Sequence, residues 1–107
     1  MPTTTINISI SCSLGQLVSR ISSFLGTNLS QNNFSRKDCA GGVFIYSLNS
    51  SGWVISAFNH PSKSHTAFAN GGIGGGGTYS VNAGRGIWAV AASKTGLSGI
   101  KAYYNTN

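Results

Sequence analysis

The sequence predicts a mainly β fold, a small antiparallel β-sandwich of about six strands with one short N-terminal amphipathic helix. Three observations carry this. After about residue 42 the chain breaks into short β-branched and aromatic runs, with turn signals about every 8–12 residues, the spacing of sandwiches and small barrels. Ahead of them, one stretch repeats its apolar residues with the period of a helix. The length, 107 residues, fits a single domain with a real but modest core.

In chain order, residues 3–10 alternate, with Ile6, Ile8 and Ile10 on one side, and read as a strand. Leu14, Leu17, Val18, Ile21, Phe24 and Leu25 then follow the i, i+3, i+4, i+7 pattern of one helix face. Ser13 is placed to cap that helix, 13–25, and Gly26 to end it. The Asn/Ser-rich stretch 26–42 reads as a loop, which divides the chain into an extension, 1–42, and a sandwich, 43–107. Within the sandwich the strand segments are 42–48, 53–58, 64–70, 78–82, 86–93 and 99–105. Asn49-Ser50-Ser51-Gly52 is a plausible hairpin turn between the first two. In the last segment Tyr103 and Tyr104 must face opposite sides of their strand.

Composition narrows the chemistry. There are seven Lys and Arg against one acid, Asp38, for a net charge of +6, yet charged residues are only 7% of the chain. One carboxylate side chain cannot make the pair a glycosidase or an aspartic protease needs, nor the oxygen-rich shell of a calcium site. Enzymatic function is therefore not expected. Anionic partners are: the phosphate head groups of an envelope lipid or membrane surface, acidic cell-wall polymers or nucleic acid. Nucleic acid is disfavoured, because the longest basic cluster is Arg36-Lys37 and a dedicated binder groups its cations in a stripe. No apolar run is long enough for a membrane-spanning helix. Met1-Pro2 and a Thr run replace the basic and apolar regions of a secretion signal, so none is expected here.

Several residues invite a functional reading. His60 and His65 flank Pro61-Ser62-Lys63-Ser64. A tight turn there would bring both imidazoles beside the Lys63 cation in one anion-binding loop. Two His alone fall short of the four ligands of a structural zinc site, and no metal or cofactor is expected. The tract Gly71–Gly77, six glycines around Ile73, is either a nest of N–H groups for an anion or a flexible connection. It lacks the Gly-Lys-Ser/Thr ending of a phosphate loop. Cys12 and Cys39 allow one disulfide, closing about 27 residues and contributing about 3–4 kcal/mol; two free thiols are the alternative. Ser, His and Asp38 could be combined into a triad on paper, but no Ser sits in a G-x-S-x-G elbow.

Three blocks resemble the lactococcin 972 family of bacteriocins: SAFNHPSKSHTA at 56–67, AGRGIWAVA at 83–91 and KAYYN at 101–105. They occur in that family's order and approximate spacing, and together span about residues 53–105. The resemblance implies a sandwich of two three-stranded antiparallel sheets. It also implies a secreted, cationic antibacterial protein acting on Gram-positive cell-wall synthesis, with lipid II as the implied target. The first 42 residues have no counterpart in the short mature bacteriocin.

The expected function is thus that of a bacteriocin-like toxin, a non-enzymatic binder of an anionic cell-envelope component such as lipid II. His60, Lys63 and His65 would form its binding loop, with Arg85, Lys94 and Lys101 as supporting charge. The competing expectations are a membrane-permeabilising cytolysin, inserting helix 13–25 or the glycine loop, and a structural, self-assembling β-module.

Overall fold

A computed structural model describes residues 14–26, 28–30, 34–39, 41–50 and 52–106. The strand expected at 3–10, Ser13, Cys12 and the side chain of Cys39 lie outside the described residues, and the Cys12–Cys39 bridge with them. The helical periodicity is borne out as α1, Leu14–Leu25. It stops where the sequence places its C-terminal glycine: Gly26 has φ 71°, and its N–H donates to Ser22 O at 2.9 Å.

Seven strands follow: β1 Ser35–Cys39, β2 Gly42–Ser50, β3 Trp53–Asn59, β4 His65–Asn70, β5 Thr78–Ala83, β6 Ala89–Lys94 and β7 Lys101–Thr106. They form two sheets, β1-β2-β3-β6 and β5-β4-β7, and every pairing is antiparallel. The mainly β class is as expected, but two details are corrected. The stretch read as a loop contains β1, and one sheet has four strands where the resemblance implied three. β1, SRKDC, has no apolar alternation to reveal it. It is a strand because its backbone pairs with β2, from Ser35 opposite Tyr46 to Cys39 opposite Gly42. The 42/43 division of the chain therefore falls inside a hairpin. Arg36 and Lys37 on this short edge strand also discourage pairing with a further chain.

Alternation along β3 and β6 explains the layering. Trp53, Ile55 and Ala57, with Val90 and Ala92, point to one face and pack with Leu17 and Ile21 of α1. Val54 and Phe58, with Ala89 and Ala91, point to the other and meet Ala67, Ala69 and Val81 of the second sheet. The four-stranded sheet is thus a middle layer, and every residue of β3 is buried. Fully burying Leu17 and Ile21, both 0% exposed, stabilises the helix on the sheet by about 1.5–3 kcal/mol each. The many alanines let the two sheets approach, while Phe44, Phe58 and Tyr104 fill the space between them. The polar residues of this interior bond to backbone: Ser56 Oγ donates to Tyr103 O at 3.0 Å, and Ser93 Oγ to Gly77 O at 2.8 Å. The second sheet is open on its outer side, where exposed Tyr103 stacks on Phe68 at 4.7 Å. Its neighbour Tyr104 faces the core, as strand alternation requires.

The glycine tract is neither a flexible connection nor an anion nest. It is docked backbone-to-backbone on the β6–β7 loop. Gly76 N–H donates to Lys94 O at 2.9 Å, Gly96 N–H to Gly71 O at 2.6 Å and Ile73 N–H to Ser98 O at 2.8 Å. The approach leaves no room for side chains: a Cβ on Gly71 would overlap Lys94 O, and one on Gly96 would overlap Ile73 O.

Gly71→Ala is accordingly expected to cost about 3 kcal/mol by overpacking, a fall of roughly 12 °C or more in Tm for a domain of this size. Gly84, where an added Cβ would meet nothing within 4 Å, should accept Ala within about 0.5 kcal/mol. Thermal melts of the two variants check this; equal Tm values would contradict the docked geometry.

Candidate ligand-binding groove

The six charged and ionisable residues singled out in the sequence lie at two ends of the sandwich. β4 sets the separation. His65 begins it and Asn70 ends it, five steps of about 3.4 Å, or about 17 Å.

At the first end, the loop between β3 and β4 carries His60, Lys63 and His65. Lys63 is exposed, as is Arg85 in the β5–β6 loop, and the two loops are joined by Gly86 N–H donating to His60 O at 2.8 Å. The two imidazoles, however, are inside: His60 is 4% exposed and His65 0%. This corrects the expectation that both rings line an open binding loop. Each flanks the Phe58 ring edge-on, at 6.5 and 5.4 Å. His60 Nδ1 accepts the backbone N–H groups of Ser62 at 3.2 Å and Lys63 at 3.1 Å, which fixes the turn. His65 does the reverse. Its Nδ1 faces Lys63 O at 2.9 Å and its Nε2 faces Ile87 O at 2.6 Å. A neutral ring donates to one of these two carbonyls, and its tautomer decides which.

At the second end, Lys94 closes β6 with Nζ 4.8 Å from the centre of the Trp53 ring, a cation–π contact. Lys101 opens β7 opposite Asn70. Both are exposed. Lys63 and Arg85 therefore do not converge with Lys94 and Lys101.

A feature absent from the sequence reading lies along the side of the molecule. The four-stranded sheet is wider than the three-stranded sheet that covers it, so part of β1 and β2 extends past the edge of β7. The result is an open groove of about 460 Å³. Phe44, Tyr46 and Leu48 project from β2 at every second position, and Ile100, Lys101 and Tyr104 come from β7 and its approach. Lys37 enters from β1, where it pairs with Phe44. Phe44 stacks on Tyr46 at 5.0 Å and tilts against Tyr104 at 5.0 Å, so the aromatic surface is continuous. Because β2 and β7 run between the two ends of the sandwich, Lys37 and Lys101 contribute cations at opposite parts of the groove. Such a surface suits an elongated amphiphile, with anionic groups at the ammonium ions and apolar or ring surface on the aromatics. The shared face of Phe44, Tyr46 and Leu48 is a signal the sequence does contain. The position of Lys37 is not, since it depends on β1.

A family model described as Bacteriocin (Lactococcin_972) matches residues 40–104. It covers β2 to β6 and most of β7, the groove's aromatic residues and both docked loops, and extends further toward the N-terminus than the three blocks that resemble the family. No curated protein and no solved structure matches the chain.

The histidine geometry is open to direct measurement. The nitrogen-15 spectrum of neutral His60 is expected to show a bare Nδ1 and a protonated Nε2; a proton on Nδ1 would contradict its two accepted hydrogen bonds. His65→Phe, which removes the ring nitrogens facing the Lys63 and Ile87 carbonyls, should cost about 1–3 kcal/mol in denaturant unfolding. Lys63→Gln at the exposed tip should change stability by less than about 0.5 kcal/mol.

Proposed function

The chain belongs to the lactococcin 972 bacteriocin family, and from that membership we propose that it is a secreted antibacterial protein that binds an anionic lipid-linked cell-wall precursor, such as lipid II, without catalysis. The observation that carries the reading is the groove, an aromatic floor with the Lys37 and Lys101 ammonium groups on its borders. Phosphate oxygens would accept charge-assisted hydrogen bonds from the two lysines, while Tyr46 and Leu48 would pack against the ring or chain portion of the ligand. The charge balance supports this. Seven cations face one side-chain acid, so most of the positive field is available to a ligand outside the molecule. Lys63 and Arg85 at the far end, and Lys94 beside Trp53, would add long-range attraction rather than contacts. The buried His60 and His65 would serve to hold the loop that carries Lys63.

Titration of the protein into vesicles with and without lipid II tests the proposal. Lys37→Gln/Lys101→Gln and Tyr46→Ala are each expected to weaken binding to the lipid II vesicles by at least about tenfold, the loss of one or two charge-assisted hydrogen bonds or of an aromatic contact. Growth inhibition of a sensitive Gram-positive strain should fall in parallel. Lys63→Gln/Arg85→Gln, remote from the groove, should change affinity less than about threefold at physiological salt. Wild-type binding that is the same with and without lipid II, together with no inhibition of any Gram-positive strain, would overturn it.

A further inference from the structure

Large apolar side chains are unevenly distributed over the surface. Among the described residues Ile73 is 69% exposed and Leu97 89%, and both sit at the second end of the sandwich. They are neighbours: Leu97 N–H donates to Ile73 O at 2.7 Å, and Leu97 Cγ lies 3.9 Å from a Cβ placed on Gly74. Ile73 stands between Gly72 and Gly74, both at positive φ, at the turn of the glycine tract. Leu48, 47% exposed, is near the same end of β2. The opposite end, around Pro61–Ser64 and Gly84–Ile87, carries exposed Lys63 and Arg85 but no such apolar side chain among the described residues.

We infer that the Ile73–Leu97 tip is a membrane anchor, which enters the outer surface of an anionic lipid bilayer while the rest of the sandwich stays in water. Three features of the tip favour lipid over a protein partner. First, it is a projection rather than a groove, and offers two aliphatic side chains to a fluid surface. Second, Lys94 and Lys101 flank it at the ends of the two strands that the Leu97 loop connects, and no acidic residue occurs anywhere in 71–101. Cations beside inserted aliphatic groups match an anionic headgroup layer. Third, most of the tip's backbone donors are already bonded within the protein. The N–H groups of Gly71, Ile73, Gly75, Gly76, Thr95, Gly96 and Leu97 all donate to backbone carbonyls of the protein, and that of Gly72 donates to Asn70 Oδ1 at 2.8 Å. An ordinary exposed loop would carry unpaired donors into the headgroup region at considerable cost. Here the glycines that allow the close approach let most of these donors bond within the protein. The anchor is a rigid one, so surface attachment rather than pore formation follows from it.

Flotation of the intact protein with vesicles tests the inference. Phosphatidylglycerol–phosphatidylcholine vesicles free of any cell-wall precursor are used, so the result does not depend on what the groove holds. Wild type should bind them, and pure phosphatidylcholine at least tenfold less. Ile73→Ser/Leu97→Ser should lose at least tenfold of the partitioning to anionic vesicles with an unchanged Tm, because both side chains are exposed. In nanodiscs of the same lipid containing a nitroxide lipid, amides 72–75 and 96–99 should broaden while 61–64 and 84–87 do not. Equal partitioning of variant and wild type, or broadening at the opposite end, would overturn the inference. So would a wild-type dimer in size-exclusion chromatography that the double variant dissociates without changing vesicle binding, since the tip would then serve a second copy of the chain.

Discussion

The four-stranded sheet is apolar on both faces, and most of the architecture follows from the need to cover both. Ile55 and Val90 point one way, Val54 and Phe58 the other. A sheet of this kind is unstable in water until each face is occupied. α1 supplies one cover and the three-stranded sheet the other. The helix is consequently part of the core, although the family match starts only at residue 40. The groove is a by-product of the same requirement. Four strands covered by three leave a margin, and the margin falls on β1 and β2 because β7 is the edge of the narrower sheet. Tyr46 and Leu48 remain accessible there for a geometric reason, with no need for a special pocket-forming loop.

How far this could be read in advance depends on whether a residue's surroundings are local. α1 and β2 to β7 announce themselves through period and turn residues, and those signals are local. β1 does not, because its cause is a partner. Nothing in Ser-Arg-Lys-Asp-Cys favours a strand until β2 lies alongside it. The groove fails for a related reason. Phe44, Tyr46 and Leu48 share a face by alternation, but Val43 and Ile45 on the opposite face are as apolar, so β2 reads as buried on both sides. Which side is left open is decided by the width of the other sheet. The histidines show the converse. A polar pair around Pro-Ser-Lys-Ser looks solvated, yet the carbonyls of Lys63 and Ile87 lie against the ring nitrogens of the buried His65.

The glycine tract makes the limit sharpest. Composition alone admits two opposite readings, a loose tether or a close-packed backbone, and both depend on the absent Cβ. The choice is made by the loop after β6, about 20 residues further on, whose carbonyls occupy the space that side chains would fill. Glycine here removes freedom from the fold. Its entropic cost in the unfolded chain is offset by a run of hydrogen bonds between the two loops.

The shortage of acids then has a structural as well as a functional side. The interior uses hydroxyls and backbone where another protein would use ion pairs. Ser56 and Ser93 bond to backbone carbonyls. Neutral partners avoid the desolvation cost of buried charges and leave the cations on the surface. A field of one sign acts over about a Debye length and weakens with salt. The aliphatic tip acts only on contact and is strengthened by excluded salts. A protein equipped with both can approach an anionic envelope by charge and remain there by apolar contact, with the two contributions separable by ionic strength alone.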